Sequence, residues 1–522
     1  MASPIRMTGM TSGLDTESIV KALVSNHSNK VDKLKKQKTK NEWKQEQYKE
    51  INKEVYGLYT SISNLRFTSA YNLKKSTVSD ATKATVSTSN IAAQGTHTLE
   101  VTELARAAYW TGNKVKAIST GNNASGKVTE ATALVQLMRN DPEKGFTLGD
   151  TFAGTGYLKV KVGDEEKTLE LKGDTTLSSL KSQLGEMGII MNIDEGNERI
   201  YLSSEKGGAK HNFTIEAVDE NGNADTSGNS YKLMEVLGLN ISDDNKVLGT
   251  DAKIKLDKVE YTSETNSFTV NGLTVNALAK TDGEVTITTS ADVQGLYDKI
   301  KDFIEQYNKV INDLTARFNA DTAKGMEPLT DEEKEAMGES TANKYEDKIK
   351  ASLMRRDGKV DGVISAMTRA MSASYEINGK RFSLSSFGIN TLGILRSEKN
   401  EQNAYHIDGD ADDDTVSGNT DKLMKALSDD PDTIVDFLKQ LTTGLYKGLD
   451  EKMKKTTLSS AYTMYDDVSL KNENDELANL IKQWEKKVED EEDRYYKKFA
   501  SMESALTKLN GQQSSLSGLF NN

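Results

Sequence analysis

Four histidines, His27, His97, His211 and His406, are the chain's only side chains that ordinarily titrate near neutral pH. No two stand at the spacing of a metal-binding pair, which argues against a zinc or non-haem iron site. Cysteine is absent, so disulfides, thiolate metal sites and thiol nucleophiles are excluded together. There is no Gly-x-x-x-x-Gly-Lys-Ser/Thr loop, no Gly-x-Ser-x-Gly elbow and no His-Glu-x-x-His pair. Paired carboxylates say nothing about acid–base catalysis in a chain with 80 Asp and Glu. One acidic run, 408–414, can be tested. Asp408, Asp410 and Asp412 match the first, third and fifth positions of an EF-hand loop, but Asp413 stands where that loop needs Gly and Asn419 where it needs Glu. The run reads as a solvated acidic loop. We expect no enzyme, no cofactor and no metal.

The other function classes narrow in the same way. Lys and Arg number 67 against the 80 acids, a net charge of −13. Duplex nucleic acid needs a concentrated basic face, so it is not an expected partner. No stretch approaches the roughly 18 apolar residues of a membrane span, so no membrane insertion is expected. The N-terminus lacks the apolar segment of a cleaved signal peptide. Hydrophobic residues are 36% of the 522, and length alone suggests roughly three to four domains. The four prolines (Pro4, Pro142, Pro328 and Pro431) leave room for long helices and strands.

Both ends read as helix. Residues 18–65 contain no proline, and Tyr48, Ile51, Val55, Leu58, Ile62 and Leu65 fall on one helical face. Residues 30–47 are polar apart from Val31, Leu34 and Trp43, so they should be marginally helical alone. At the other end Leu477, Ile481, Trp484 and Val488, then Tyr495, Phe499, Met502, Leu506 and Leu509, continue a 3/4 alternation, with the acids 489–493 expected to interrupt the seam. Residues 30–50 hold eight Lys against four acids, and 471–498 seven Lys/Arg against nine acids, a complementary pair. Two narrow stripes at opposite ends of one chain suit a coiled coil. A third helix covers 292–318, capped by Ser290 or Asp292, with Ile300, Phe303 and Tyr307 in its stripe. A fourth starts at Pro431, capped by Asp430, with Ile434, Phe437, Leu438 and Leu441 inward.

The middle, 75–290, reads as strand. Leu158, Val160 and Val162 alternate with lysines, and Asn271-Gly272 marks a tight hairpin turn. Stretches 321–341 and 397–420 read as loops. The fold class is α+β and multi-domain: helical coiled-coil termini at 1–45 and 475–522, a helical leg bundle at 46–74 and 291–474, a β-rich head domain at 75–150 and 215–290, and an inserted outer β domain at 151–214.

Several blocks together carry a resemblance. Thr8-Gly-Met-Thr-Ser-Gly-Leu-Asp-Thr-Glu-Ser-Ile-Val-Lys-Ala-Leu23 resembles the opening of the bacterial flagellar filament-capping (hook-associated protein 2) family. Residues 94–105 look like that family's first β segment. Thr175-Thr-Leu-Ser-Ser-Leu180, 188–193 and Arg199-Ile-Tyr-Leu-Ser-Ser204 are similar to its inserted flagellin-hook-type motif. Residues 266–314, containing Phe303-Ile-Glu-Gln-Tyr-Asn308, resemble its hairpin-into-helix junction, and 494–516 its C-terminal helix. Each block is weak by itself, but their shared order is specific.

The resemblance implies a homo-oligomeric ring at the distal tip of an extracellular flagellum, retaining exported flagellin and promoting its folding and insertion. It implies further partners: the hook–filament junction protein before filament growth, a flagellar export chaperone and the type III export apparatus, the last needing no cleaved signal peptide. A chain exported unfolded is suited by having no cysteine and few slow prolyl bonds. On this reading Ile51, Val55, Leu58, Ile62, Leu65, Ile300, Phe303 and Tyr307 hold the leg bundle. Ile481, Trp484, Val488, Phe499, Met502, Leu506 and Leu509 make intersubunit, filament or chaperone contacts. Two alternatives stay open: another axial protein (junction protein or flagellin), and a surface adhesin for host or mucus glycans.

Overall fold

A computed structural model describes residues 12–118, 126–141 and 145–520. The chain divides after Tyr71 and after Asp292 into a helical unit, built from both ends, and a β-rich unit, Asn72–Asp292. Ten α-helices occur among the described residues: α1 Thr16–Ile62, α2 Leu177–Glu186, α3 Asn229–Val236, α4 Val293–Phe318, α5 Asp331–Met337, α6 Glu339–Ser352, α7 Gly358–Met371, α8 Lys422–Asp429, α9 Pro431–Lys452 and α10 Asp467–Phe520.

The helical unit has one large core. Stripes from α1, α4, α7, α8 and α9 meet there, with Ile51, Ile62, Tyr307, Ile311, Leu314, Phe437 and Leu441 fully buried. These stretches of 3/4 alternation converge because a one-sided stripe is stable only when that side is covered. As the sequence suggests, Asp430 caps α9, accepting the Thr433 N–H at 3.2 Å, and Pro431 occupies the first turn.

Two local expectations are corrected. Residues 321–341 are not all loop: α5 and α6 lie partly within them. Thr330 Oγ1 accepts the Glu333 N–H at 3.2 Å and Glu333 Oε2 accepts the Thr330 N–H at 2.7 Å, a capping box that starts α5 without an apolar stripe. Residues 397–420 contain a short strand, His406–Ile407, paired with Ile389–Asn390. The acids 489–493 lie inside α10, whose backbone runs unbroken through them because glutamate is a good helix former, and the apolar cluster shared with α1 reaches only as far as Val488.

The β-rich unit has two cores, and all its paired strands are antiparallel. Around the smaller core, Lys74–Val78, Val285–Ala291, Gly95–Glu103, Ala252–Leu256 and Val259–Ser263 form a five-stranded sheet in that spatial order. It packs with the three strands Ser267–Val270, Leu273–Ala277 and Ala84–Thr88 over Leu99, Ile254, Phe268, Val275 and Ile287. The Asn271-Gly272 turn joins two of these, with φ of 47° and 85°, and Val270 faces Leu273 as a two-residue type I′ loop requires. The larger core draws on residues 108–241, extending on both sides of the expected insert at 151–214. There Leu158 and Val160 from Thr155–Val162 pack with Leu169, Phe213, α2 and α3. The two short helices escape the reading of 75–290 as strand. Thr176 accepting the Ser179 N–H is the signal that marks α2.

One polar site ties α1 to α7. Asp357 caps α7 through the N–H groups of Lys359 (2.9 Å) and Val360 (3.3 Å), and it accepts the Tyr48 hydroxyl of α1 at 2.6 Å with Lys44 at 3.3 Å. Burial works against the charged carboxyl. The Tyr48 hydroxyl, Lys44 and the two amides outweigh it and hold Asp357 below the ordinary aspartate range. A lowered native pKa means its contribution is present above the unfolded value of about 3.9 and is lost as pH falls through the native one. We expect Asp357→Asn to lower stability by about 1–2 kcal/mol at pH 7. Thermal melts of variant and parent should converge as pH falls below the unfolded value of about 3.9 and through the lower native one. Parallel curves over the whole acid range would refute the assignment.

Candidate assembly interface

The first set of sequence-selected residues lies inside the helical unit. Ile51, Val55, Leu58, Ile62, Ile300, Phe303 and Tyr307 are buried in its core, and Leu65 packs against the edge. Tyr307 is wholly enclosed, with its ring edge-on to Tyr405 at 5.8 Å, and burial pushes its phenol above the usual tyrosine range. The Leu65 carbonyl accepts hydrogen bonds from the Tyr71 hydroxyl (2.6 Å) and from Thr442 of α9 (3.0 Å).

The second set lies on α10, which runs antiparallel to the first half of α1. Val31 and Leu34 of α1 bury themselves against Leu477 and Ile481, with Trp484 and Val488 packed alongside. His27 faces Trp484 at 5.7 Å, Lys35 bridges Glu485 at 2.7 Å, and Glu503 receives the Ser12 hydroxyl. The pairing rests on the narrow seam and on exposed ion pairs, and each such pair is worth at most about 1 kcal/mol. Flanking contacts explain why residues 30–47 are helical despite their polarity. Lys36 bridges Glu333 of α5 at 2.7 Å, and Lys350 of α6 lies 5.0 Å from the Trp43 ring centre.

The seam has a polar interval. Asn41 of α1 and Asn474 of α10 each bury an amide atom with no hydrogen-bond partner among the described residues. Buried asparagine in a coiled-coil seam fixes register at a cost in stability. Between this interval and the helix ends the apolar layer is thin, so the α1/α10 pair is the weakly held part of the helical unit.

Past Glu503 the character of α10 changes. Phe499, Met502 and Leu506 are half-buried, whereas Leu509 and Leu516 are 59% and 55% exposed. The helix continues for about five turns beyond the level of Ser12. Ile481 is therefore enclosed within the chain's own helix pair, while Leu509 is open to solvent.

The acidic run 408–414 holds no EF-hand arrangement. Lys301 of α4 reaches Asp410 at 2.8 Å and Asp412 at 2.6 Å, Asn419 donates to Asp408 at 2.7 Å, and His406 pairs with Asp413 at 2.6 Å. Burial opposes the charge on Lys301, but the two carboxylates prevail and raise its pKa. The loop is thus a clamp on α4. Among the described residues no group of three or more His, Asp or Glu could hold a metal, and no helix is long and apolar enough to cross a membrane.

Comparison with known proteins adds the family context. Residues 12–108 match the family described as Flagellar hook-associated protein 2 N-terminus, and residues 249–511 match Flagellar hook-associated protein 2 C-terminus. The interval between them, 109–248, is nearly the segment that builds the larger β core. A flagellar hook-associated protein 2 from Halalkalibacterium halodurans is 24% identical over 99% of this chain and 100% of that protein. One from Thermotoga maritima is 24% identical over 69% of this chain and 54% of that protein. A crystal structure of the D1-D2-D3 domains of the flagellar cap protein FliD from Escherichia coli aligns with a TM-score of 0.45 and 16% identity, over 78% of this chain and 97% of that one.

The helix pair can be tested directly. Ile481→Asp places a charge in the seam and should separate residues 16–40 from α10 while the rest of the helical unit stays folded. Limited proteolysis should then cut first within 20–45 or 477–500, and far-UV circular dichroism should fall. An unchanged cleavage pattern would show that the pair does not depend on this seam.

Proposed function

The chain belongs to the flagellar hook-associated protein 2 family, and from that premise we propose that it caps the distal tip of the flagellar filament, retaining exported flagellin and promoting its folding and insertion. The observation that carries this reading is the match at both ends of the chain, over the segments that form the helical unit. A cap has to hold a growing lattice and still let go as each subunit enters. The α1/α10 pair suits both demands, because its seam is narrow, contains buried unpartnered amides, and ends in an exposed apolar stripe at Leu509 and Leu516.

The core around Ile51, Val55, Leu58, Ile62, Leu65, Ile300, Phe303 and Tyr307 serves as the rigid leg from which the pair projects. Phe499, Met502, Leu506 and Leu509 form the surface offered to filament subunits, to another copy or to an export chaperone, with Ile481, Trp484 and Val488 joining it when the pair opens. The β-rich unit supplies the head domains. The chain acts as a ring of copies at an extracellular tip, reaches it by the type III export route, and follows the hook–filament junction protein in assembly. The family is structural, and no catalytic step is part of this role.

Deleting the gene should leave hooks without filaments and flagellin monomer in the medium, and added purified protein should restore cell-attached filament. Normal filaments in the deletion strain would end the cap reading. Glycan adhesion would then become the leading alternative.

A further inference from the structure

Two surface features of the helical unit are left uncovered by the described residues of the chain. The first is an apolar projection. Ile394 and Leu395 are 83% and 99% exposed, neighbours in a turn closed by the Ser397 N–H on the Gly393 carbonyl at 3.0 Å. The next residue, Arg396, is exposed and has no ion pair among the described residues. A tandem of large aliphatic side chains held out on an ordered turn costs solvation with no internal return.

The second is a groove of about 490 Å³ between α1 and α4. Its floor is apolar, from Leu58 and Val310, and Gly57 opens it, having no atom within 4 Å of where a Cβ would stand. On its wall Glu54 buries Oε2 with no hydrogen-bond partner among the described residues. Burial, and then the nearby Asp313 carboxylate, raise the Glu54 pKa against the pull of Arg317 and Lys309. Arg317 is committed to Asp313 (2.7 Å) and Glu50 (3.2 Å), and Lys53 and Lys309 line the same groove, but none of these makes a hydrogen bond to the buried Glu54 Oε2.

The groove and the segment that follows the projection lie on different sides of α4. Asn308 and Asn319 anchor the segment that follows the projection, through the Tyr405 backbone (2.7 and 2.8 Å) and Asn400 (3.1 Å). Gln306, Val310 and Arg317 line the groove. At about 100° per residue these sets stand roughly 170° apart around the helix.

We propose that the Ile394-Leu395 projection of one copy seats in the α1/α4 groove of a second copy, with Arg396 meeting Glu54. Aliphatic side chains meet an apolar floor, and an exposed guanidinium meets a carboxyl whose buried Oε2 has no hydrogen-bond partner among the described residues. Because knob and groove are different surfaces, the contact is taken as head-to-tail: each copy uses its knob on one neighbour and its groove on the other. Such a contact generates a ring when the rotation closes. The inference rests on the reading of the chain as a self-associating cap and assigns the surface that would do it.

The absence of native cysteine allows a direct test in the full chain. Gly57→Cys and Leu395→Cys are made separately and together; both positions are exposed, and circular dichroism melts should match the parent. Under mild oxidation an equimolar mixture of the two single variants should give a cross-linked dimer that neither gives alone, and the double variant should give a ladder of oligomers. Leu395→Asp should weaken self-association roughly tenfold or more in sedimentation velocity. Arg396→Glu should weaken it as well, with recovery on adding Glu54→Arg. If the parent associates but the mixed variants do not link, or Leu395→Cys links equally well to itself, the assigned contact is wrong. If the parent remains monomeric at every soluble concentration, both the contact and the self-association reading fail.

Discussion

The burial of one face of α1 is the constraint on which the helical unit depends. This helix has 47 residues, and its two halves bury different things. The C-terminal half buries Tyr48, Ile51, Val55, Leu58 and Ile62 in a broad core shared with α4, α7 and α9. The N-terminal half has only Val20, Val24, Val31 and Leu34 to bury, and around Val31 and Leu34 the cover comes from α10. A continuous helix therefore passes from a thick apolar core to a thin seam without a break in its backbone. A strongly held half and a weakly held half sit on the same element because hydrophobic stabilisation scales with the area covered.

Polar groups specify what the apolar stripes leave open. Asp357 joins α7 to α1 through Tyr48, and Lys301 holds the acidic loop onto α4. The capping box at Thr330 and Glu333 starts α5, which offers Glu333 to Lys36. Each contact is partly shielded and links elements remote in sequence, so it fixes relative placement more than it adds stability. Lys301 also explains why an acidic run can be ordered by the chain itself: a half-buried lysine supplies the counter-charge from within.

The β-rich unit follows a different logic. Its smaller core is assembled from 84–105 and 252–287, the edges of the two family-matched segments, while 108–241 folds into a core of its own. An insertion that brings its own apolar centre can vary without disturbing the sheet that carries it. This is consistent with the family matches falling on either side of it.

What the amino-acid order determined by itself was whatever depends on local chemistry: the stripes of α1, α4, α9 and α10, the Asp430–Pro431 helix start, the Asn271-Gly272 hairpin, and the absence of thiols and metal-ligand spacings. These follow from periodicity and backbone preference within a few turns of chain. Tertiary structure decided which side chains meet. Helix α5 lacks an apolar stripe and is betrayed only by its capping box; α10 crosses five acids because helix formation there does not need a seam. Ile481 is covered by Val31 and Leu34 from the far end of the chain, whereas Leu509, on the same periodic face, stays in solvent. One-dimensional periodicity makes those two residues equivalent. Only the length and position of the opposing helix distinguishes them, because burial is a property of the pair of surfaces and not of either alone.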